Sequence, residues 1–381
     1  MNGKYILVIS DGAMLNGSLS GIFAIDQTKA LQKAGCNVVY ASLDMRSIRH
    51  MRKWGISVFE RDGIKIYNIS APIGRVPSRV KAFFENRCFN ILFKRIIKEN
   101  GYPRIVHAHF GRGKNYLYKM KGKYGIEYIV TEHDTAVESD MISNYEKKNL
   151  RRIYTSAAIR IAVSEAFAER LQSLYGLPFN VVYNVLDMSA FGNVEKVEHE
   201  GFNFVSVGNL LERKGFVTLL EAFSQIDSNS KLYIIGSGPL EKTLRMTINE
   251  KKLDNKVFLL GKKARSEIAE YMSNADCFVL ASKKETFGVV YIEAMACGVP
   301  VIATRCGGPQ SFINDKNGIL IDVDDVEGLK DAMIYMTSNV EEFDAEYIRK
   351  FCMDNFSDRA FSDGISQLLG ESIMNDVKNE I

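Results

Sequence analysis

The chain of 381 residues is predicted to fold as two α/β domains, each built like a Rossmann half. Three observations predict this. Short apolar runs alternate with segments of helical spacing, the pattern of βα units. The runs end in glycine-rich or polar turns. The length is also great for one core and comfortable for two domains of about 190 residues each.

Residues 4–10 read as a strand, Asp11 to Gly21 as a glycine-rich turn, and Ile22 to Ala34 as a helix before the strand Val38–Ser42. Gly17 and Gly21 could bring backbone close to a diphosphate. However, the G-x-G-x-x-G fingerprint of dinucleotide folds is absent, and a tight turn without ligand explains the stretch equally well. Residues 64–69 alternate like a strand. Pro77 to Lys98 is a basic helix whose apolar positions Val80, Phe83, Phe84, Cys88, Ile91, Leu92 and Ile96 keep one face. The common fate of such a face is packing on a sheet; the alternative is peripheral contact with an anionic membrane, with the aromatics inserted.

Arg104 to Arg112 is a strand that leaves His107 and His109 in alternate positions at its end, where ligands bind in open parallel sheets. A His-x-His pair also suits a metal, but no third ligand stands nearby in sequence. Ile129 to Thr135 repeats the design with His133, flanked by Glu132 and by Asp134, a helix-capping candidate. Ile159–Ser164, a helix to Tyr175 and Val181–Asp187 complete the first domain, and the polar run 192–201 reads as a linker.

The second domain opens with the strand Phe202–Val207, the loop Gly208–Gly215 and a helix to Ser224. Lys214 in that loop is a cation at the mouth of a sheet beside a helix start, suited to a diphosphate. Leu232 to Pro239 is a strand and a Gly236-Ser-Gly-Pro turn, and further strands run over 257–261 and 277–282. From Val289 to Ala303 every side chain is small or apolar except Tyr291 and Glu293, and Gly298 and Pro300 stand where a helix should stop and a strand begin. Glu293 is thus a carboxylate in apolar surroundings, without Lys or Arg between Val289 and Thr304. It needs a distant partner or a ligand, and a pair of sugar hydroxyls is one such ligand. The helix start around Phe287, Gly288 and Val289 offers amides to a phosphate, which Gly288 allows to come close.

Glu285 and Glu293 with seven residues between them, followed by AMACGVPVIAT and CGG, resemble the signature of the family 4 retaining glycosyltransferases, and the resemblance covers nearly the whole chain. It implies the GT-B architecture, two Rossmann-like domains facing across a cleft. The expected division is 1–188 for an acceptor-binding domain, 189–345 for a nucleotide-sugar domain and 346–381 for a helical tail returning to the first. The resemblance places Glu285 on the donor sugar, Glu293 on the ribose and Lys214 on the leaving phosphate. It puts Gly17, Gly236, Phe287, Gly288 and Val289 along the nucleotide sugar, His109 near the sugar and His133 on the acceptor side, whereas His107 is structural. The turn Asn184–Asp187 matches the family's Asn-Gly-Val-Asp motif with Val185 in place of Gly. Where the family often carries Arg after the first loop glycine this chain has Asn209, which puts one of two usual phosphate cations in question and leaves open whether neighbouring Arg213 compensates.

The implied activity is that of a hexosyltransferase moving a sugar from a UDP- or GDP-sugar to a glycan, lipid-linked or small-molecule acceptor in bacterial polysaccharide or glycoconjugate synthesis. Retention follows from a front-face substitution in which the leaving phosphate helps deprotonate the acceptor. No cofactor or metal and no nucleic-acid partner is expected; Asp322-Val-Asp324 spells the metal motif of another glycosyltransferase architecture but reads as a solvated turn. The alternatives are a GT-B epimerase or phosphorylase, a non-catalytic partner subunit that binds nucleotide or glycan, and an NAD-dependent dehydrogenase.

Composition agrees with an ordinary globular protein, 46% hydrophobic and 25% charged. No stretch approaches the roughly 18 apolar residues of a membrane span. The apolar run Tyr5–Ser10 meets Asp11 at once, too early for a signal peptide, so a cytoplasmic location is expected, peripheral at the inner face of the membrane if the basic helix binds there. Six cysteines without a C-x-x-C pair read as buried reduced thiols. The net charge of +3 hides an asymmetry: residues 1–190 hold 28 Lys and Arg against 16 Asp and Glu, a balance of +12 against −9 for the remainder.

Overall fold

A computed structural model describes residues 4–11, 22–49, 52–191, 197–226 and 229–378. The turn carrying Gly17 and Gly21, and linker residues 192–196, lie outside the described residues. Contacts divide the chain into two compact units, Met1–Val185 with Asp358–Ile381, and Leu186–Ser357.

The first unit holds strands β1 (Ile6–Asp11), β2 (Val38–Asp44), β3 (Gly55–Arg61), β4 (Ile64–Ser70), β5 (Ile105–His109), β6 (Tyr128–Glu132), β7 (Ile159–Ala162) and β8 (Asn180–Val181). Their order is β3-β4-β2-β1-β5-β6-β7-β8. Every pairing is parallel except that of β3 with β4. Helices cover both faces, so the central strands are buried throughout and read as continuous apolar runs. The antiparallel β3 is absent from the sequence reading. Asp62 and Gly63, at φ 53° and 74°, make the tight turn that folds it onto β4. Its edge position leaves most of its side chains exposed or half-buried, which erased the alternation that marks a strand.

Two helices of this unit matter below, α1 (Ile22–Lys33) and α2 (Ser78–Asn100). Of the apolar face expected for α2, Leu92 and Ile96 pack as read and the other large side chains do not. The helix buries Ala82, Glu85, Phe89, Leu92, Phe93 and Ile96, and Val80, Phe83, Phe84 and Ile91 stay exposed. The sequence carries two apolar stripes on opposite sides of one helix. The stripe with Phe89 and Phe93 takes the core because Phe89 stacks at 3.8 Å on Tyr116 and at 5.4 Å on Phe93, large rings burying the most area.

The helical segment read as one tail over 346–381 is two pieces. The helix Ala345–Phe356 stays with the second unit, where Phe356 meets the rings of Phe287 and Phe312 at 5.8 and 5.4 Å. The helical stretch Asp358–Val377, kinked at Gly370 (φ 74°), joins the first unit. There Phe361, Ile365 and Leu369 share a core with Ile25 and Leu31 of α1 and with Ile6 and Val8 of β1. Arg104 to Asp376 at 2.7 Å and Lys33 to Asp358 at 2.5 Å hold its ends.

The second unit holds β9 (Phe202–Val207), β10 (Ser230–Ile235), β11 (Val257–Leu259), β12 (Cys277–Leu280), β13 (Val301–Thr304) and β14 (Gly318–Ile321). The order is β11-β10-β9-β12-β13-β14, parallel throughout. In each sheet the winding reverses beside the first strand, between β1 and β5 and between β9 and β12. At such a switch point the loops leave toward opposite faces and open a crevice beyond the strand ends, where ligands bind in open α/β sheets. The candidate residues cluster at these two places.

Candidate functional site

At the switch point of the second unit, β9 ends at Gly208 and the chain turns through a short 3-10 segment, Glu212–Lys214. Gly215 closes that turn at φ 67°, and a β-carbon there would stand 1.7 Å from the carbonyl oxygen of Ala281, at the end of β12. The amide of Lys283 also donates to the Arg213 carbonyl at 2.7 Å. The turn carrying Lys214 is therefore laid directly on the loop carrying Glu285.

Lys214 is only 8% exposed. Its ammonium donates to Glu285 Oε1 at 2.5 Å, and the Ser282 hydroxyl donates to the same oxygen at 2.7 Å. A carboxylate and an ammonium this deeply buried offset their desolvation only through one another and such added hydrogen bonds. The Glu285 backbone is fixed from both sides, its amide donating to the Cys306 carbonyl at 3.1 Å and its carbonyl accepting from Gly308 at 2.8 Å. Gly308 passes so close that a β-carbon would lie 2.3 Å from Phe287 Cα. The CGG run thus has a mechanical reason: its second glycine lets one loop clamp another.

The helix Val289–Ala296 starts behind this clamp with Gly288 as its N-cap at φ 99° and no side chain capping it. Phe287 is buried against Phe312 and Phe356. Glu293, which on sequence needs a distant partner or a ligand, has Arg265 Nε at 3.7 Å from its Oε1. Arg265, on the helix Arg265–Ser273, also lies over the Phe191 ring at 5.1 Å. The distant partner is therefore real, and Glu293 is not an isolated charge. Gly236 ends β10 at φ 150°, and a β-carbon would fall 1.8 Å from the Gly208 carbonyl oxygen, so the ends of β9 and β10 touch. Asn209, which stands where the resemblance leads one to expect Arg, is exposed. Asp322 and Asp324 pair with Arg305 at 3.5 Å and Lys283 at 2.7 Å, with side chains 79% and 52% exposed, as a solvated turn should.

At the switch point of the first unit, β5 and β6 deliver His109 and His133 side by side. His109 Nδ1 and His133 Nε2 are 3.1 Å apart, one donating to the other. Phe23 of α1 lies 4.6 Å from the His133 ring and 6.4 Å from that of His109. His107 bonds the Thr131 hydroxyl at 2.7 Å. Among the described residues, His109 Nε2 is a buried nitrogen without a hydrogen-bond partner, a position poised for a ligand hydroxyl. Glu132 organises the loop: it accepts from the Tyr154 hydroxyl at 2.5 Å and from the amides of Gly111, His133 and Asp134. Asp134 caps the helical turn Thr135–Glu138 through the Ala136 amide.

Sequence reasoning missed two groups. Ser282 carries a plain signal, a hydroxyl at the strand end three residues before Glu285. Lys114, 1% exposed, donates to Asp11 at 2.7 Å across the β1 and β5 ends. Nothing in the local pattern Gly111-Arg-Gly-Lys114 marks it as buried. Glu85 of α2 lies against Gly113 beside this pair, and burial, with Asp11 adding, pushes its carboxyl up to about 7.

The imidazoles make the first unit acid-sensitive. Burial lowers His107 to about 4 and, with His107 adding, His133 to about 3. Burial and then His107, His133 and Lys114 take His109 well below the ordinary value. All three fold neutral. Their contribution is full above the unfolded value of about 6.5 and is lost as pH falls; for His107 alone the shift to about 4 corresponds to on the order of 3 kcal/mol. Glu85 and Glu132, both raised, act oppositely, stabilising at low pH and losing that contribution as pH rises through the folded value, about 7 for Glu85. Three imidazoles outweigh two carboxyls. Urea midpoints of this unit should therefore fall between pH 7 and 5, and His107→Gln should flatten that fall; an unchanged slope in the variant would exclude His107 as its source.

Two family models match the chain, Glycosyltransferase Family 4 over residues 20–190 and Glycosyl transferases group 1 over residues 191–351. TuaC of Bacillus subtilis, a glycosyltransferase named for teichuronic acid biosynthesis, is 28% identical over 338 residues, covering 82% of this chain and 84% of TuaC. Sucrose-phosphate synthase from Thermosynechococcus elongatus superposes with a TM-score of 0.80 at 22% identity, over 96% of this chain and 98% of that one. Anabaena HepE, solved with UDP and glucose, gives 0.70 at 18% identity, over 96% and 99%. With both halves matched in order, and with the Glu285 and Glu293 motif set at the switch point of a parallel sheet, the chain belongs to the family 4 glycosyltransferases of GT-B fold.

Proposed function

We propose that this glycosyltransferase moves a hexosyl group from a nucleoside diphosphate sugar, UDP- or GDP-linked, to a glycan, lipid-linked or small-molecule acceptor with retention at the anomeric carbon. The observation that carries the reading is the buried contact of Lys214 with Glu285, which also accepts from Ser282, at the strand ends of the second unit. A nucleoside diphosphate leaves with growing negative charge, and a preset cation is the group that stabilises it most. Lys214 serves that role, with amides of the first turn after Gly288 adding to it. When the diphosphate takes the ammonium, Glu285 is released to accept sugar hydroxyls, held in aim by Ser282. Glu293 accepts from the ribose, and the backbone at Gly236 and Phe287 to Val289 lines the donor.

In the first unit, the unsatisfied Nε2 of a neutral His109 suits a sugar hydroxyl, and His133 orients His109 and faces the acceptor side. No side chain among the described residues stands out as a nucleophile for the anomeric carbon, and a front-face substitution accounts for retention: the bond to the leaving phosphate oxygen breaks as the acceptor oxygen arrives on the same face, and that phosphate takes the acceptor proton. TuaC's setting supports polysaccharide or glycoconjugate assembly as the context, and HepE's ligand supports UDP as the first donor base to try.

Thermal unfolding with UDP, GDP, ADP and NAD tests the donor side. One nucleoside diphosphate at a hundred times its dissociation constant should add about 2.7 kcal/mol, and Lys214→Ala and Glu293→Ala should each abolish the shift. Stabilisation by NAD, or by none of them, would overturn the reading in favour of a dehydrogenase or of a partner subunit without donor binding. Donor consumed without any acceptor would point to an epimerase, and the anomeric configuration of a transfer product decides retention.

A further inference from the structure

The face of α2 turned away from the core is not accounted for by the fold or by sugar transfer. At 100° per residue the buried stripe of Ala82, Phe89, Leu92, Phe93 and Ile96 lies opposite a second stripe. That stripe starts apolar with Val80, Phe83 and Phe84, continues with Arg87 and Ile91, and ends basic with Lys94 and Lys98. The exposures are large: 63% for Phe83, 48% for Ile91, 43% for Val80 and 37% for Phe84. Large apolar side chains grouped in this way on a surface mark a binding face.

The charges say what kind. The helix has two carboxylates, and neither is on this face: Glu85 is buried, and Glu99 lies to the side, paired with Arg95 and Lys65. Arg79 and Lys81 also turn aside, Arg79 onto the Tyr145 ring and Lys81 onto Glu85. What remains is phenylalanine and isoleucine interspersed with cations and with no anion, in a unit whose sequence is strongly basic.

We propose that this face binds an anionic lipid surface, with the side chains of Val80, Phe83, Phe84 and Ile91 entering at headgroup level and Arg87, Lys94 and Lys98 meeting lipid phosphates. An interfacial helix combines an apolar stripe with flanking Lys and Arg in this way, whereas the core of a protein interface is depleted of Lys. A second copy docked on the same patch by two-fold symmetry would press like charges together. Among the described residues no helix is long and apolar enough to cross a membrane, so the mode is lying on, not spanning. The anchor is rigid: the stacking of Phe89 on Tyr116 fixes the helix, and with it the outer face, on the first unit. A lipid-linked acceptor would then be met at the surface that holds it, but the binding itself requires no donor.

The test is flotation of the full chain with vesicles of phosphatidylglycerol and phosphatidylcholine and with vesicles of phosphatidylcholine alone, without nucleotide sugar, so the result stands apart from the transferase reading. Binding to the anionic vesicles that weakens with salt is expected. The Phe83→Ser/Phe84→Ser pair and the Arg87→Glu/Lys94→Glu pair should each lose about tenfold or more of it. All four positions are exposed, so both pairs should keep the parent's thermal midpoint; if the first pair misfolds, the charge-reversed pair decides alone. No binding, equal binding to both vesicle types, or retained binding in the folded variants overturns the proposal. So does a concentration-dependent dimer lost in the Phe83→Ser/Phe84→Ser pair, which would assign the face to a second copy.

Discussion

Lys214→Ala is expected to lower the turnover of sugar transfer by about a hundred- to a thousandfold, the usual cost of removing one preorganised group from developing negative charge. The same substitution strands Glu285. A buried carboxylate that loses its cation costs about 3–5 kcal/mol, here eased by the Ser282 hydroxyl that still donates to it. A fall in activity could therefore reflect a damaged fold, and the Lys214→Ala/Glu285→Ala double variant separates the two causes. Removing both charges should recover much of the stability and none of the activity. If activity returns with stability, the pair is structural and the diphosphate role of Lys214 is wrong. Glu285→Gln keeps the shape, removes the charge and should also be strongly impaired. Ser282→Ala should be impaired least, because it only aims the carboxylate. Steady-state rates with the donor identified by thermal shift, alongside urea midpoints for each variant, supply the comparison.

A large effect on stability is also expected from Gly215→Ala, at about 3 kcal/mol or more against the second unit. The methyl would have to occupy a point 1.7 Å from the Ala281 carbonyl oxygen and 2.6 Å from its carbon. Neither is the end of a flexible side chain, so strand β12 or the Lys214 turn must move. Gly176 is the control, with the same φ of 67° but nothing within 4 Å of an added β-carbon. Gly176→Ala should cost only about 1 kcal/mol, the strain of the left-handed backbone itself. Equal losses in the two variants, measured by urea unfolding, would mean that backbone conformation rather than close packing explains Gly215.

The Gly215 test and the Lys214 cycle concern the same contact, which shows how far sequence could reach. Val289 to Ala303 was legible because a buried helix followed by a buried parallel strand leaves almost no polar side chain, and the exceptions then stand out. Glu293 was legible as a candidate in that way, Lys214 as a cation beside a helix start, Glu285 through the family resemblance, and His109 and His133 at strand ends. The hairpin strand β3 was not, because an edge strand tolerates polar residues on both faces. The Asp62-Gly63 turn was its only clear mark.

Residue types and their local periodicity, present in the chain before any contact forms, thus determined the alternation of strands and helices, the two largely parallel sheets and the candidate site residues. Tertiary structure decided how those residues are paired. Lys214 and Glu285 are 71 positions apart and meet only because β9 and β12 are neighbours in the sheet. Arg265 reaches Glu293 from another helix, and Lys114 reaches Asp11 across two strand ends. Tertiary packing also chose which apolar stripe of α2 faces inward, since both satisfy helical periodicity and only one finds Tyr116 to stack upon. Local pattern says which side chains can be buried together, and the crossing of distant strands says which of them are.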